Sequence, residues 1–157
     1  MRIVACGNDD LFLDTSALGK RYIAEVGSAW MLAQVQPVSG HLVLISELTT
    51  VELCAALARR QRLKQLSPDD GTRLRDHFLT HVAEDYLTIL VDAPVLRRAR
   101  DLVVRHPLRT LDAVQLSCAL EAPSSLNALL TFVSADTVLL TAAAVEGFAI
   151  ENPLLHP

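Results

Sequence analysis

A chain of 157 residues, 51% of them hydrophobic, has the material for one globular core, and that composition excludes a disordered or low-complexity protein. Aromatics are only 4%, so Leu, Val and Ala must build the core and an aromatic base-stacking platform is excluded as a main device. A net charge of −4 also excludes a nucleic-acid binder that works by bulk positive charge; acids gathered around a cation would lift that objection, because the ion then meets the anionic substrate.

Strand-like and helix-like segments alternate along the chain. Leu11-Phe12-Leu13-Asp14 is a short apolar run closed by an acid and reads as a buried strand. Helical segments follow from Tyr22 to Gln36, with a break at Gly27-Ser28, and then a second strand from His41 to Ile45. From Glu47 to about Lys64, the residues Leu48, Val51, Cys54, Ala55 and Ala58 fall at helical spacing and predict the buried stripe. Ser67 caps the next helix with Pro68 at its first position, and that helix runs to about Glu84. A third strand is expected at Leu87 to Val91, then a helix from Ala93 to His106 stopped by Pro107. Thr110 is the expected cap of a helix reaching Leu120 or Glu121. Leu129 to Val133 is a fourth strand, Asp136 to Glu146 a helix ended by Gly147, and Phe148 to Glu151 a short last strand. Strands separated by helices imply one α/β domain over residues 1–157, with a mainly parallel sheet of four to five strands covered on both faces.

The three cysteines, Cys6, Cys54 and Cys118, have no close pairing, and the latter two sit in apolar helical patterns. They predict a reducing, cytoplasmic setting. The apolar run Ile3 to Cys6 is too short for a signal peptide. The stretch from Leu126 to Val145 imitates a membrane span, but Asp136 near its middle would cost about 2.5–3.5 kcal/mol there. No membrane association is expected.

Four acids occupy comparable places. Ligands of open α/β sheets bind outside the carboxyl ends of the strands, where Asp14 closes the first strand and Asp136 follows the fourth. Asp112 lies in the first turn of its helix, and Glu52 one turn into another. Each has an alternative explanation: Asp14 and Asp136 as helix caps, Asp112 as a partner of its helix dipole, Glu52 as a solvated side chain. Those alternatives leave Glu52 unexplained within a largely apolar stripe, and Asp112 followed by Ala113-Val114-Gln115-Leu116 on a helix that reads as buried. Converging carboxylates repel unless a cation neutralises them, and oxygen-only ligands select magnesium or manganese. The five scattered histidines give no zinc spacing. Nucleophile-elbow and phosphate-loop signatures are both missing.

Four blocks in order carry a resemblance. They are Leu13-Asp14-Thr15-Ser16-Ala17-Leu18, Ile45-Ser46-Glu47-Leu48-Thr49-Thr50-Val51-Glu52, Arg109-Thr110-Leu111-Asp112-Ala113-Val114-Gln115-Leu116, and Phe132-Val133-Ser134-Ala135-Asp136. Together they resemble the PIN-domain nucleases, and within them the toxins of VapBC-type toxin–antitoxin pairs. Three departures stand out: the first ten residues precede the start of many such toxins, Gly19 is smaller than the usual apolar residue, and Ser134 replaces a commoner Thr.

The resemblance implies a PIN-like three-layer α/β/α sandwich and a metal-dependent endoribonuclease. Asp14, Glu52, Asp112 and Asp136 would be the catalytic and metal-binding residues, holding Mg2+ with Mn2+ as a substitute. Thr15, Ser16 and Ser134 would orient those carboxylates. The implied substrate is single-stranded or looped RNA, cut to a 5′-phosphate and a 3′-hydroxyl. Among the basic residues, Lys20, Arg21 and Arg109 are the expected RNA contacts; the run Arg59 to Lys64 can instead complement a helix C-terminus, and Arg97-Arg98 a solvated face. A cognate antitoxin, docking near Tyr22 and Trp30, and a homodimer are also implied. Two rivals remain. One is a catalytically silent PIN-like binding protein. The other is a receiver-type phosphoacceptor, whose first strand and acid pair Arg2 to Cys6 and Asp9-Asp10 imitate; it needs a late lysine, and the only lysines are Lys20 and Lys64.

Overall fold

The computed structural model describes residues 10–123 and 130–156. Its five strands are β1 (Asp10–Leu13), β2 (Val43–Ser46), β3 (Tyr86–Ile89), β4 (Leu130–Val133) and β5 (Ala149–Glu151). They form one sheet in the order β3-β2-β1-β4-β5, parallel throughout. β1, β2 and β4 are almost wholly buried, as parallel strands covered on both faces must be. In register, Phe12 lies beside Leu44 and Phe132, while Leu13 pairs with Val133.

The helices among the described residues are α1 (Thr15–Tyr22), α2 (Ser28–Val35), α3 (Glu47–Arg62), α4 (Pro68–Glu84), α5 (Ala93–Arg105), α6 (Thr110–Glu121) and α7 (Thr137–Val145). The strand pleat sorts side chains to opposite faces. Phe12, Leu44, Leu130 and Phe132 pack with α5, α6 and α7, and the Phe12 and Phe132 rings stack at 5.4 Å. Leu11, Leu13, Val43 and Ile45 pack on the other face against Leu18, Met31, Leu53 and Phe78, which come from α1 to α4. The result is a three-layer α/β/α sandwich.

Short polar residues start the helices as expected. Ser46 accepts from the Leu48 amide and Ser67 from the Asp70 amide, each satisfying a donor with no partner inside its helix. Gly27 opens α2 with φ of 87°, and a Cβ there would fall 2.4 Å from the Pro153 carbonyl oxygen, so this position requires glycine twice over.

Several expectations need correction. The buried side of α3 is Thr49, Leu53 and Leu57, while Val51 is 66% exposed and Ala55 lies in solvent. Apolar residues surround much of this helix, so two stripes satisfy the spacing and the neighbouring elements choose between them. Thr110 is the first helical residue rather than the cap. Arg109 holds the cap position with extended backbone and makes no side-chain capping bond. Cys118 is buried as expected, but Cys54 is only half-buried. The helical segment expected to begin at Tyr22 instead ends there: α1 spans Thr15–Tyr22, started by the Asp14 cap, and helix resumes only at Ser28. The other strand and helix ends shift by a residue or two. Cys6, the Arg2 to Cys6 run, Asp9 and the expected strand start at Leu129 lie outside the described residues. No helix among the described residues is long and apolar enough to cross a membrane.

Candidate active site

Topology explains why distant acids border one cleft. β1 is central, with β2 on one side and β4 on the other, so the segments leaving their carboxyl ends border one crevice. A cleft of about 340 Å³ opens there, and its lining includes Asp14, Glu52, Asp112 and Asp136 together with Thr15, Ser16, Gln115 and Arg109.

Asp14 is 5% exposed. Its Oδ1 accepts from the Ala17 amide at 2.9 Å, capping α1, and its Oδ2 accepts from the Ser134 hydroxyl at 2.8 Å. The Ser16 hydroxyl donates to Asp14 at 2.8 Å and accepts from the Ala135 amide at 2.9 Å, tying the end of β1 to the loop after β4. Burial pushes the Asp14 carboxyl up to about 6, against the opposing pull of these hydrogen bonds, and nearby Glu52 pushes the same way.

Glu52 is held from two sides. The Thr15 hydroxyl donates to its Oε2, and so does the Gln115 amide at 2.8 Å. Gln115 also donates to Thr49 at 3.0 Å. Both of its amide hydrogens thus have acceptors in a buried place. Gln115 and Thr49 were not predicted as site residues. The signal for Gln115 was present: an amide three positions after Asp112, in a run otherwise apolar, sits on the same helical face as that acid.

Asp136 divides its oxygens. Oδ1 accepts from the Val138 and Leu139 amides at 2.9 and 3.0 Å and caps α7, while Oδ2 faces Arg109 Nη2 at 3.5 Å. Arg109 Nε donates to Asp112 Oδ2 at 3.0 Å. This guanidinium, 81% exposed, therefore bridges two of the acids as their positive partner.

The basic residues divide. Arg109 lies at the cleft. Lys20 is buried and its Nζ stands 3.0 Å from Glu25 Oε1. Arg21 points to the other side of α1, where it donates to the Tyr86 hydroxyl, lies 3.1 Å from His81 Nε2 and sits over the Tyr22 and Tyr86 rings. Arg21, expected as an RNA contact, is not among the residues that line the acid cleft, and it gives these donors to the polar cluster between α1, α4 and β3. Tyr22 belongs to the same cluster, its hydroxyl 2.7 Å from His81 Nδ1, and is buried rather than an open anchor. Trp30 is half-buried and stacks on His156 at 4.6 Å.

The donor set is oxygen-only, which suits a hard divalent ion. Among the described residues, no three Asp, Glu, His or Cys side chains are grouped closely enough to hold a metal ion. Magnesium commonly keeps several waters and binds through one or two carboxylates plus substrate phosphates. The donor chemistry therefore fits that ion without a closed protein cage.

The sequence profile of the PIN domain matches residues 11–144. The chain belongs to the PIN domain family. Among solved structures, this PIN domain is similar to FitAcB from Neisseria gonorrhoeae, with a TM-score of 0.62 and 18% identity over 91% of this chain and 97% of that one. It is also similar to VapC20 from Mycobacterium tuberculosis, a sarcin–ricin loop cleaving toxin, with a TM-score of 0.63 and 16% identity over 89% of this chain and 97% of that one. VapBC2 from Rickettsia felis, bound to a DNA fragment from its promoter, gives a TM-score of 0.61 and 14% identity over 90% and 97%. No curated protein sequence matches the PIN domain described here at a significant level.

Proposed function

We propose that this PIN domain is a metal-dependent endoribonuclease, the toxin of a toxin–antitoxin pair, acting on single-stranded or looped RNA in the cytoplasm as a homodimer that a cognate antitoxin restrains. The observation that carries the reading is the sharing of one cleft by Asp14, Glu52, Asp112 and Asp136, which come from four separate segments. The similarity to VapC20, itself a cleaving toxin, and to VapBC2 supports the same class of activity and partner.

In this reading Asp14, Glu52, Asp112 and Asp136 would hold Mg2+, directly or through water, with Mn2+ as a substitute. When bound, the ion supplies Lewis acidity to the scissile phosphate and acidifies the attacking water. The chain's own residues do the positioning. Ser16 and Ser134 fix the Asp14 carboxylate, Thr15 and Gln115 fix Glu52, and Arg109 leaves Asp112 and Asp136 to meet the phosphate. Water adds to phosphorus and the 3′-oxygen departs with a proton, leaving a 5′-phosphate and a 3′-hydroxyl. Unpaired RNA is favoured because a single strand can be drawn into a cleft of this size.

The test is cleavage of single-stranded and hairpin RNAs by the purified protein with magnesium, with EDTA, and with Asp14→Asn. Cleavage is expected only for the unmodified protein with magnesium. Cleavage that survives both EDTA and the substitution would contradict the proposal, and no cleavage of any RNA would favour a binding-only PIN domain.

A further inference from the structure

The cleft does not end at the acids. It continues between α1 and α3, past Gly19 and Ala56, to Arg60. Glu52, Ala56 and Arg60 recur every four residues and so share one side of α3, with about 12 Å of axial rise from first to last. That separation sets Arg60 apart from the acids, where it would meet a different phosphate of any strand lying in the cleft. Both intermediate residues are small. Gly19 borders the passage without a side chain, and a Cβ there would already touch Leu53 Cδ1 at 3.7 Å.

The charge also changes along the cleft. Arg60 Nη2 lies 3.8 Å from Glu25 Oε2, while Glu25 Oε1 is held at 3.0 Å by the buried Lys20. One carboxylate thus faces two cations, leaving this end with positive charge to spare. The Arg60–Glu25 contact is long and partly exposed, the kind of pair that contributes little and exchanges easily for a better anion. Beyond it a second depression of about 400 Å³ is bordered by Arg59, Arg60, Leu63 and Gln65, so Arg60 stands between the two.

We propose that Arg60, held in readiness by the Lys20–Glu25 pair, forms a phosphate subsite for a nucleotide flanking the cut in a single RNA strand laid along the α1–α3 cleft. This rests on the ribonuclease reading and adds a binding element to it. Lys20 then acts through Glu25, by fixing how firmly that carboxylate competes for Arg60, and not by touching RNA.

The test is fluorescence anisotropy with a non-cleavable 2′-O-methyl octanucleotide, the full chain and magnesium, over a series of salt concentrations. Arg60→Ala should weaken binding about tenfold and flatten the slope of log affinity against log salt by about 0.7, the loss of one phosphate contact. Arg60→Lys should retain the slope. Glu25→Gln should bind several-fold more tightly, an effect opposite in sign to any merely structural damage. Melting curves identify any variant that fails to fold, and Arg60→Gln then provides a second neutral replacement. Wild-type binding that Arg60→Ala and Arg60→Gln leave unchanged in affinity and slope would overturn the subsite alone. Failure of the wild-type chain to bind any such oligonucleotide would overturn the ribonuclease reading and the subsite with it.

Discussion

Asp14 pays for its position in stability. Its carboxyl is buried, and folding raises it from 3.8 to about 6. Between those values the folded chain binds more protons than the unfolded one, so stability falls as pH rises through the interval and then levels off. The full penalty above it is on the order of 2–3 kcal/mol. Asparagine keeps an oxygen for the Ala17 amide and an NH2 that the Ser16 and Ser134 hydroxyls can accept, without the buried charge. In EDTA, Asp14→Asn should therefore be about 1–3 kcal/mol more stable than the parent near pH 8, with the difference vanishing near pH 4. Denaturant titrations at the two values check this; a variant less stable by the same amount at both would show that ionised Asp14 carries no burial penalty. Activity should move the other way, since the same substitution removes a proposed ligand.

At the scale of elements, a cap and a site residue need not compete. Asp136 gives Oδ1 to two amides at the start of α7 and presents Oδ2 to the cleft, and Asp14 divides its oxygens between α1 and Ser134 in the same way. From the sequence alone, capping and metal binding were alternatives; the geometry permits both. Asp136→Asn should retain the cap and most of the stability, whereas Asp136→Ala should lose about 1 kcal/mol. Both should lose RNA cleavage. Equal melting temperatures for the two variants would show that the cap contributes nothing. The strands, most helix starts and the parallel character of the sheet were legible because short apolar runs, Ser or Asp caps and prolines are local signals; the start of α1 at Thr15 was not. The inward side of α3 was not, because Leu48, Val51, Leu53, Cys54 and Leu57 leave two stripes open and only packing against neighbouring elements selects Thr49, Leu53 and Leu57. Arg109 displaced Thr110 as the expected cap for a related reason: which residue enters a helix depends on where its side chain finds partners, here Asp112 and Asp136.

At the scale of the whole molecule, the parallel sheet turns four distant segments into one lined cleft, and it does so beside β1, from which the chain proceeds to β2 on one side and finds β4 on the other. The acids could be picked out in the sequence because carboxylates beside apolar runs are unusual. Thr49, buried behind them against Gln115, could not, since a lone hydroxyl in a helix has many possible uses. Nor could the directions of Lys20 and Arg21, adjacent on α1 yet facing Glu25 and the tyrosine–histidine cluster respectively. A net charge of −4 remains compatible with an RNA substrate if the acids are neutralised where they gather. Calorimetric titration of manganese into the purified chain, and into Asp14→Asn, Glu52→Gln, Asp112→Asn and Asp136→Asn, tests that most directly. A saturable site in the parent, weakened at least tenfold by each substitution, is the predicted result; a parent that binds no manganese, or four variants that bind it as the parent does, would contradict the account.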